Sequence, residues 1–302
     1  MATIRQSAKK DFFEWSGPAE SGVDVGGFQI DLPIRYYRSD VFIGIFSAEL
    51  DAARALLPSS RLQPVRLAKN RAAAGIVAFN YVETGVGAYG EIGIAVLCTL
   101  DREAPPFAPL LAEAAWPGFG AFIAHLPVTT RIARQAGRTV WGYPKFVADM
   151  AFDITPESQH VDLREGGSDI LSFGVRRTGL VIPDRRALVT YTVRGNDLVR
   201  TKIPTLANYQ TGFGRRAGSL TLGDHQVAKD LMDLGVGSTP VITKSYVSHS
   251  AILPVGEVVG TTDRAYEGYW GAERESGLHT VRYDRGTQTT VTQSTDATAT
   301  LT

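Results

Sequence analysis

Cysteine is almost absent from this sequence: its 302 residues include one, Cys98. A single thiol cannot form a disulfide within the chain, and it excludes a metal site built from several thiolates. Cys98 lies in the apolar segment 92–100, where a lone cysteine is typical of a buried core position. The histidines do not have the spacing that places metal ligands on one helix, so we predict no metal site.

Long apolar runs and an excess of one charge are also missing. No run of about 18 apolar residues predicts a membrane span, and residues 1–12 lack the apolar stretch of a secretory signal. Lysine plus arginine and aspartate plus glutamate each number 31, which gives no bulk attraction to nucleic acid or to an anionic membrane. We therefore expect a cytoplasmic protein whose partners are small molecules or further copies of itself.

The composition favours one large domain. Hydrophobic residues make up 44% of the chain, and no linker-like or charge-rich segment interrupts residues 26–260. We predict that residues 1–25 form an N-terminal extension and that residues 261–302 form a C-terminal one. From about residue 286 the sequence is rich in threonine and poor in large apolar residues, which predicts a mobile tail.

Short segments rich in β-branched and aromatic residues predict a mainly antiparallel α+β fold. The predicted strands are 28–46, 75–82, 92–100, 119–126, 146–154, 170–176, 188–193 and 241–247. The few predicted helices are 48–57 after Ser47, 130–136 before Gly137, and a third capped by Asp224. Closing such a sheet into a barrel or cone would remove its exposed edges.

Residues 85–90 read Gly-Val-Gly-Ala-Tyr-Gly and match the dinucleotide fingerprint Gly-x-Gly-x-x-Gly. That fingerprint requires a following helix whose N-terminus meets the pyrophosphate. The next residues, 92–97, have the pattern of a strand instead. We therefore interpret the glycines as a hairpin turn.

The segment 137–146, Gly-Arg-Thr-Val-Trp-Gly-Tyr-Pro-Lys-Phe, surrounds Lys145 with aromatic, glycine and proline residues. Apolar surroundings favour the neutral form of a lysine, since burial disfavours charge. A neutral amine can attack a ketone and form a Schiff base, which then accepts the electron pair of a breaking C–C bond. The alternative is a surface lysine that lays its stem over Trp141 and Tyr143.

Four segments, in this order along the chain, resemble motifs of the acetoacetate decarboxylase family. They are Tyr89-Gly90-Glu91, the run ending in Tyr143-Pro144-Lys145, Leu222-Gly223-Asp224-His225, and Ser248-His249 with Ile252-Leu253-Pro254. Four ordered matches are more specific than one short motif. The resemblance implies that Lys145 is the Schiff-base lysine and that Glu91 is a site carboxylate. It also implies an active site inside a cone-like β-barrel and assembly into a homo-oligomer.

The chain departs from the family's decarboxylases at two positions. Phe146 stands where they carry a second lysine, and Asn80 stands where a second site glutamate is expected. Desolvation by Phe146 can replace the missing cation as the cause of lysine activation. Loss of a carboxylate changes the available acids and bases, so it favours a different outcome from the same Schiff base. Some relatives are aldolase-dehydratases that act on 2-oxo acids such as pyruvate.

Further substrate-binding candidates surround this motif. Tyr143 and Trp141 are expected to exclude water from the amine, and Arg138 could bind a substrate carboxylate, although an arginine on this helix more often faces solvent. Arg38 lies one position from where the family places a site arginine, and His125 ends an apolar strand before the lysine segment.

The sequence thus predicts a lysine-dependent lyase for a small keto acid, most simply a β-keto acid decarboxylase that needs no cofactor. Lys145 would form the iminium and Glu91 would position the substrate or transfer a proton. The alternatives are an aldolase or dehydratase of the same superfamily, and a non-catalytic protein whose apolar pocket binds a ligand carboxylate through a protonated Lys145.

Overall fold

The computed structural model describes residues 6–271, so the predicted tail lies outside the described residues. Its helices are short. They are α1 (Gln6–Phe13), α2 (Leu50–Leu56), α3 (Ala108–Leu111), α4 (Arg131–Ala136) and α5 (Gln226–Asp233). Single turns of 3₁₀-helix lie at Glu113–Ala115 and Gly214–Arg216, and a π-helical turn at Gly137–Trp141 continues α4.

Strands make up most of the described chain. They are β1 (Glu20–Asp24), β2 (Gln29–Leu32), β3 (Ile34–Glu49), β4 (Leu62–Pro64), β5 (Arg66–Ala68), β6 (Arg71–Thr84), β7 (Tyr89–Leu100), β8 (Phe119–His125), β9 (Asp149–Ile154), β10 (Ser158–Glu165), β11 (Ser168–Arg176), β12 (Ile182–Asp184), β13 (Leu188–Arg194), β14 (Asp197–Ile203), β15 (Thr205–Phe213), β16 (Gly218–Leu222), β17 (Ile242–Leu253) and β18 (Glu257–Thr261). The predicted antiparallel α+β class is confirmed.

The strands form one large sheet and two small ones. The large sheet has the order β12-β15-β17-β3-β6-β7-β8-β13-β14-β18, with β4 beside β7 and β5 beside β6. Its neighbours run antiparallel except β8 and β13, which run parallel. A four-stranded sheet has the order β16-β11-β10-β9, and β1 pairs with β2.

The large sheet curves around a central cavity. Ile203 of β14 and Thr205 of β15 lie near opposite ends of the strand order, yet both line the same cavity. Among the described strands the hydrogen-bond ladders nevertheless do not close into a barrel. The cone-like enclosure expected from sequence is therefore approached by curvature rather than by a continuous ring of paired strands.

Side-chain alternation along the central strands separates two apolar layers. On β6, Ile76 and Ala78 pack in the outer layer, whereas Phe79 and Tyr81 face the cavity. The four-stranded sheet and α5 cover the outer layer, where the rings of Phe42 and Phe173 stack 5.3 Å apart. Burial of each such aromatic side chain stabilises the fold by about 2–3 kcal/mol.

The glycine-rich segment between β6 and β7 is a hairpin connection, as predicted. Tyr81 pairs with Tyr89, and the antiparallel register continues to Ala74 opposite Val96. A strand follows the glycines, so the helix that a dinucleotide site requires is not formed there. The same register places Glu91 opposite Phe79 on the neighbouring strand.

The predicted starts of two helices were wrong. Helix α2 begins at Leu50, and its N-cap is Glu49, because Ser47 continues β3 and accepts a hydrogen bond from Arg71. Helix α5 is capped by the imidazole of His225 rather than by Asp224, since His225 Nδ1 accepts from the Val227 amide at 3.1 Å. Among residues 6–271, no helix has the length and apolar character needed to cross a membrane.

Candidate active site

Lys145 and Glu91 form a buried ion pair. The Lys145 Nζ lies 2.6 Å from Glu91 Oε2, and the two residues are only 4% and 7% exposed. Two aromatic rings flank the amine, because the Nζ lies 5.7 Å from the ring centroids of Tyr89 and Tyr143. The arrangement therefore places a proton acceptor beside a desolvated amine, which is the requirement for a lysine nucleophile.

The turn after α4 determines where the Lys145 side chain can pass. A methyl group on Gly137 would overlap Cδ and Cε of Lys145, so the absence of a side chain there leaves room for the lysine stem. Gly142 ends the π-helical turn with φ +69°, and a methyl group on it would overlap the Val193 carbonyl. Both glycines of the motif thus have a steric function.

Arg138 holds the backbone of Lys145 rather than facing the amine. Its Nε donates to the Lys145 carbonyl oxygen, and another guanidinium nitrogen donates to the Tyr269 carbonyl at 2.8 Å. The guanidinium also stacks over Trp270, with its carbon 3.7 Å from the ring centroid. These protein groups surround the guanidinium, and Arg138 does not line the cavity beside Lys145. Arg138 is a positioning residue.

Four tyrosine side chains surround the ion pair: Tyr36, Tyr81, Tyr89 and Tyr143. The Tyr81 hydroxyl donates to Glu91 Oε1 at 3.3 Å, and the hydroxyls of Tyr36 and Tyr89 lie 3.0 Å apart. Burial raises the pKa of all four phenols above the ordinary value, and the Glu91 carboxylate raises it further. The tyrosines are therefore neutral hydrogen-bond donors at physiological pH.

A cavity of about 60 Å³, which we name the lysine chamber, opens beside the ion pair. Lys145, Glu91, Tyr36, Tyr81 and Tyr143 line it, together with apolar residues from several strands of the large sheet. The hydroxyls of Tyr143 and Thr190, which both line the chamber, are hydrogen-bonded at 2.7 Å. A chamber of this size accommodates a very small molecule.

His249 also lines the lysine chamber. It is 9% exposed, and burial lowers its pKa to about 4, although Asp184 opposes that shift. The imidazole is therefore neutral at physiological pH. In the sequence, His249 is marked only as part of a strand that matches the family, because a single histidine in a strand carries no sign of which cavity it faces.

The two positions that depart from the decarboxylase pattern both lie outside the chamber. Asn80 is on the opposite face of β6 from Tyr81, and its side-chain amide donates to Asp40 at 3.0 Å. Phe146 is fully buried in the outer apolar layer, where its ring packs against Tyr269 at 4.8 Å. Neither side chain contacts the chamber, because adjacent positions in extended chain point to opposite sides.

Three further candidates do not lie beside Lys145: Arg38, Trp141 and His125. Arg38 is exposed on β3, and the buried neighbour that faces the chamber is Tyr36. Trp141 is buried, and its indole nitrogen donates to the Pro254 carbonyl at 2.7 Å outside the chamber lining. It packs behind Tyr143, with ring centroids 6.2 Å apart, and so supports the chamber wall indirectly.

His125 lines a separate cavity beside α5. Its Nε2 lies 3.0 Å from Asp230 Oδ2. A β-bulge causes this placement, because β7 pairs Ile94 with His125 but the next residue, Ala95, with Ile123. The extra residue breaks the alternation along β8, so His125 does not share the cavity-facing side of Ile123. Among residues 6–271, no cluster of three or more His, Cys, Asp or Glu side chains is arranged to hold a metal ion.

The model of the acetoacetate decarboxylase family matches residues 28–261. The match covers most of the chain and includes both members of the buried ion pair. This chain belongs to the acetoacetate decarboxylase family. No curated protein sequence matches it.

Solved structures show the same fold. An acetoacetate decarboxylase structure superposes with a TM-score of 0.60 at 18% identity, covering 77% of this chain and 91% of that one. The acetoacetate decarboxylase from Legionella pneumophila gives 0.58 at 17% identity, covering 86% and 98%. The enduracididine biosynthesis enzyme MppR complexed with pyruvate gives 0.55 at 16% identity, covering 76% and 91%. At these identities the likeness concerns the fold.

Proposed function

We propose that this protein is a lyase that forms a Schiff base between Lys145 and the ketone of a keto acid. Its simplest reaction is the decarboxylation of a β-keto acid related to acetoacetate. The contact between the Lys145 Nζ and Glu91 Oε2 at 2.6 Å, beside a small and mainly apolar chamber, carries the proposal. Membership of the acetoacetate decarboxylase family supports it.

The reaction begins with proton transfer across the ion pair. Glu91 accepts a proton from Lys145, and the free amine attacks the ketone carbon to form a carbinolamine. Loss of water then gives a protonated iminium. The C–C bond to the carboxylate breaks, its electron pair moves to the iminium nitrogen, and carbon dioxide leaves. Protonation of the resulting enamine and addition of water release the product ketone and restore Lys145.

Glu91 is suited to both proton transfers. The proton that Glu91 accepts from Lys145 passes to the carbinolamine hydroxyl, which leaves as water, and a second proton taken up from solvent passes through Glu91 to the enamine carbon. The Tyr81 hydroxyl donates to Glu91 Oε1 at 3.3 Å and orients the carboxylate. The neutral tyrosines add no charge to the chamber, so a substrate carboxylate is poorly solvated there and its loss as carbon dioxide is favoured.

A second candidate reaction begins with the same iminium. The structural likeness to MppR, whose structure contains pyruvate, favours an aldolase or dehydratase that would direct an enamine at an aldehyde. Feeding acetoacetate alone, and separately pyruvate with an aldehyde, distinguishes the two reactions by release of carbon dioxide or by formation of a condensation product. Decarboxylation remains the first proposal, since the family model that matches is that of acetoacetate decarboxylase.

Exchange of ketone oxygen with ¹⁸O-labelled water tests Schiff-base formation without regard to the later steps. Formation and hydrolysis of the iminium replace the oxygen of acetone, and mass spectrometry detects the label. We expect exchange with the native protein and none above background with Lys145→Met. Lys202→Met, at a half-exposed surface lysine, is the matched control. Undiminished exchange by Lys145→Met would exclude the mechanism, and no exchange above background by the native protein would favour a binding protein.

Cellular location and assembly are separate proposals. A cytoplasmic location rests on the composition, and homo-oligomeric assembly rests on the resemblance to the family. Light scattering of the purified protein tests the assembly directly.

A further inference from the structure

A second cavity adjoins the lysine chamber. Its volume is about 160 Å³, and we name it the side cavity. Seven residues line both spaces: Val77, Phe79, Ile123, Leu188, Thr190, Thr205 and His249. The two spaces are therefore immediate neighbours, and the side cavity lies within reach of a substituent on a ketone attached to Lys145.

The side cavity extends along the strands away from Lys145. On β6 the inward-facing positions pass from Tyr81 in the lysine chamber, through Phe79 and Val77 in both spaces, to Gly75 in the side cavity alone. Six residues of extended chain separate the first from the last, a distance of about 20 Å. The side cavity is therefore an elongated space that continues the chamber.

The walls of the side cavity are mainly apolar. Ile43 and Ile45 of β3, Leu97 of β7 and Ala121 of β8 are among the lining residues outside the shared set. Gly75 contributes no side chain, so the space beside Leu97 stays open. A surface of this kind favours hydrocarbon over water.

Charged side chains lie around the solvent-accessible part of the side cavity. Arg186 contacts Glu113 at 2.8 Å and Asp184 at 2.9 Å, and Lys244 lies 3.6 Å from Glu113. The Arg186 side chain is 40% exposed and that of Glu113 is 23% exposed, so this part of the wall meets solvent. The two cations and two carboxylates compensate one another, which gives no net attraction for a charged substituent.

The volumes decide what the two spaces can hold. The lysine chamber, at about 60 Å³, accommodates little beyond the keto acid group itself. The side cavity, at about 160 Å³, matches an apolar cavity of about 150 Å³ that accommodates benzene. We propose that the substrate is a β-keto acid whose ketone carries an apolar substituent of about five or six carbons, and that this substituent occupies the side cavity.

This inference rests on the proposed function, because Lys145 must hold the ketone carbon where the two spaces meet. The reaction is otherwise unchanged, with the same bonds formed and broken. The side cavity then determines specificity. Each methylene buried there raises kcat/KM by about fourfold.

Oxygen exchange on two methyl ketones provides the test, since it needs only the Schiff base. The native protein is given acetone or heptan-2-one in ¹⁸O-labelled water, and kcat/KM is measured for each. Heptan-2-one carries a five-carbon chain in place of one methyl group. We expect kcat/KM to be at least about tenfold higher for heptan-2-one, since four added methylenes are buried.

Two variants locate the site of this preference. Ala121→Leu fills the side cavity and is expected to lower the ratio of the two kcat/KM values at least about tenfold. Leu97→Ala enlarges the cavity and is expected to shift the preference towards nonan-2-one. Leu111→Ala is the matched control, because Leu111 is 80% exposed and lies outside the side cavity. Circular dichroism verifies that each variant is folded.

Three results would overturn the inference, and they differ from one another. Equal kcat/KM values for both ketones in the native protein would show that the cavity binds no chain. An equal fall in kcat/KM for both ketones in folded Ala121→Leu, with no shift of preference towards nonan-2-one in Leu97→Ala, would show that the cavity is only an entry route. No exchange with either ketone would mean that the proposed function itself has failed.

Discussion

Each of the two cavities has a lysine in its lining, Lys145 in the lysine chamber and Lys244 in the side cavity. The Lys145 side chain is 5% exposed, and its Nζ is 2.6 Å from Glu91. The Lys244 side chain is 18% exposed, and its Nζ is 3.6 Å from Glu113, beyond ordinary hydrogen-bond distance. Both also face tyrosine rings, since the Lys244 Nζ lies 4.8 Å from the centroid of Tyr209.

The surroundings of the two amines differ in charge. Arg186 and two carboxylates surround Lys244, and burial lowers its pKa although Glu113 opposes the shift. Lys145 has one close carboxylate and is surrounded by neutral tyrosines. Burial therefore does not by itself identify a nucleophile. A proton acceptor at hydrogen-bond distance and a space for the ketone distinguish Lys145.

The largest expected effect is the difference in turnover between the variants Lys145→Met and Lys244→Met. Lys145→Met should lower keto acid turnover by about 10⁴-fold or more, because no other group can form the iminium. Lys244→Met should lower it less than tenfold. Rates of carbon dioxide release from acetoacetate measure both. A larger loss in Lys244→Met than in Lys145→Met would reverse the assignment.

His249 lies in the wall shared by the two cavities, and its titration tests whether water is excluded from that wall. Its pKa is lowered from 6.5 to about 4, so between these values the unfolded state binds a proton that the folded state does not. Stability therefore falls as the pH decreases from 6.5 to 4, by about 3 kcal/mol in total.

Urea unfolding at pH 7 and pH 4.5 measures this loss. His249→Asn should remove most of the difference between the two pH values. If the free energy of unfolding depended equally on pH in the native protein and the variant, the shared wall would be open to water.

Gly137→Ala tests whether the Lys145 side chain requires a residue without a side chain at position 137. The added methyl group would overlap the lysine stem, and displacement of the amine by about 1 Å costs about 100-fold in kcat. Gly237→Ala is the matched control, because a methyl group there meets no atom within 4 Å. Steady-state kinetics would disagree with this account if both variants retained native kcat.

The smallest expected effect concerns the backbone of Lys145. Arg138→Met removes the donors to the Lys145 and Tyr269 carbonyls and should lower the free energy of unfolding by about 2 kcal/mol. Arg164→Met, at an exposed ion pair with Asp169, should change it by less than about 1 kcal/mol. Urea unfolding at pH 7 compares the two, and equal losses would remove the positioning role.

Local pattern predicted the central strands β3, β6, β7, β8 and β17, the hairpin at residues 85–90 and the order of the family motifs, but it missed β10, β14 and β15. These features depend on residues close together in sequence. The inward-facing tyrosines were recoverable in principle, because Tyr81 and Phe79 share one face of β6 while Asn80 occupies the other. In the comparison with the family, the two-residue period of a strand assigns the cavity-facing position to Tyr81 rather than to Asn80.

Other features depend on tertiary structure and were out of reach. The bulge that turns His125 towards Asp230 involves pairing between β7 and β8, and no local pattern marks it. Phe146 follows Lys145 directly, yet it packs against Tyr269, more than 120 residues later in the chain. Arg138 likewise binds carbonyl groups at Glu267 and Tyr269. Such long-range contacts decide which neighbours of a motif residue reach the site.

Borohydride trapping tests the central claim most directly. The native protein is incubated with acetoacetate, reduced with borohydride, digested, and analysed by mass spectrometry. We expect one covalent adduct, a reduced secondary amine on Lys145, and none in Lys145→Met. An adduct on Lys244, or the absence of any adduct from protein that releases carbon dioxide, would contradict the account.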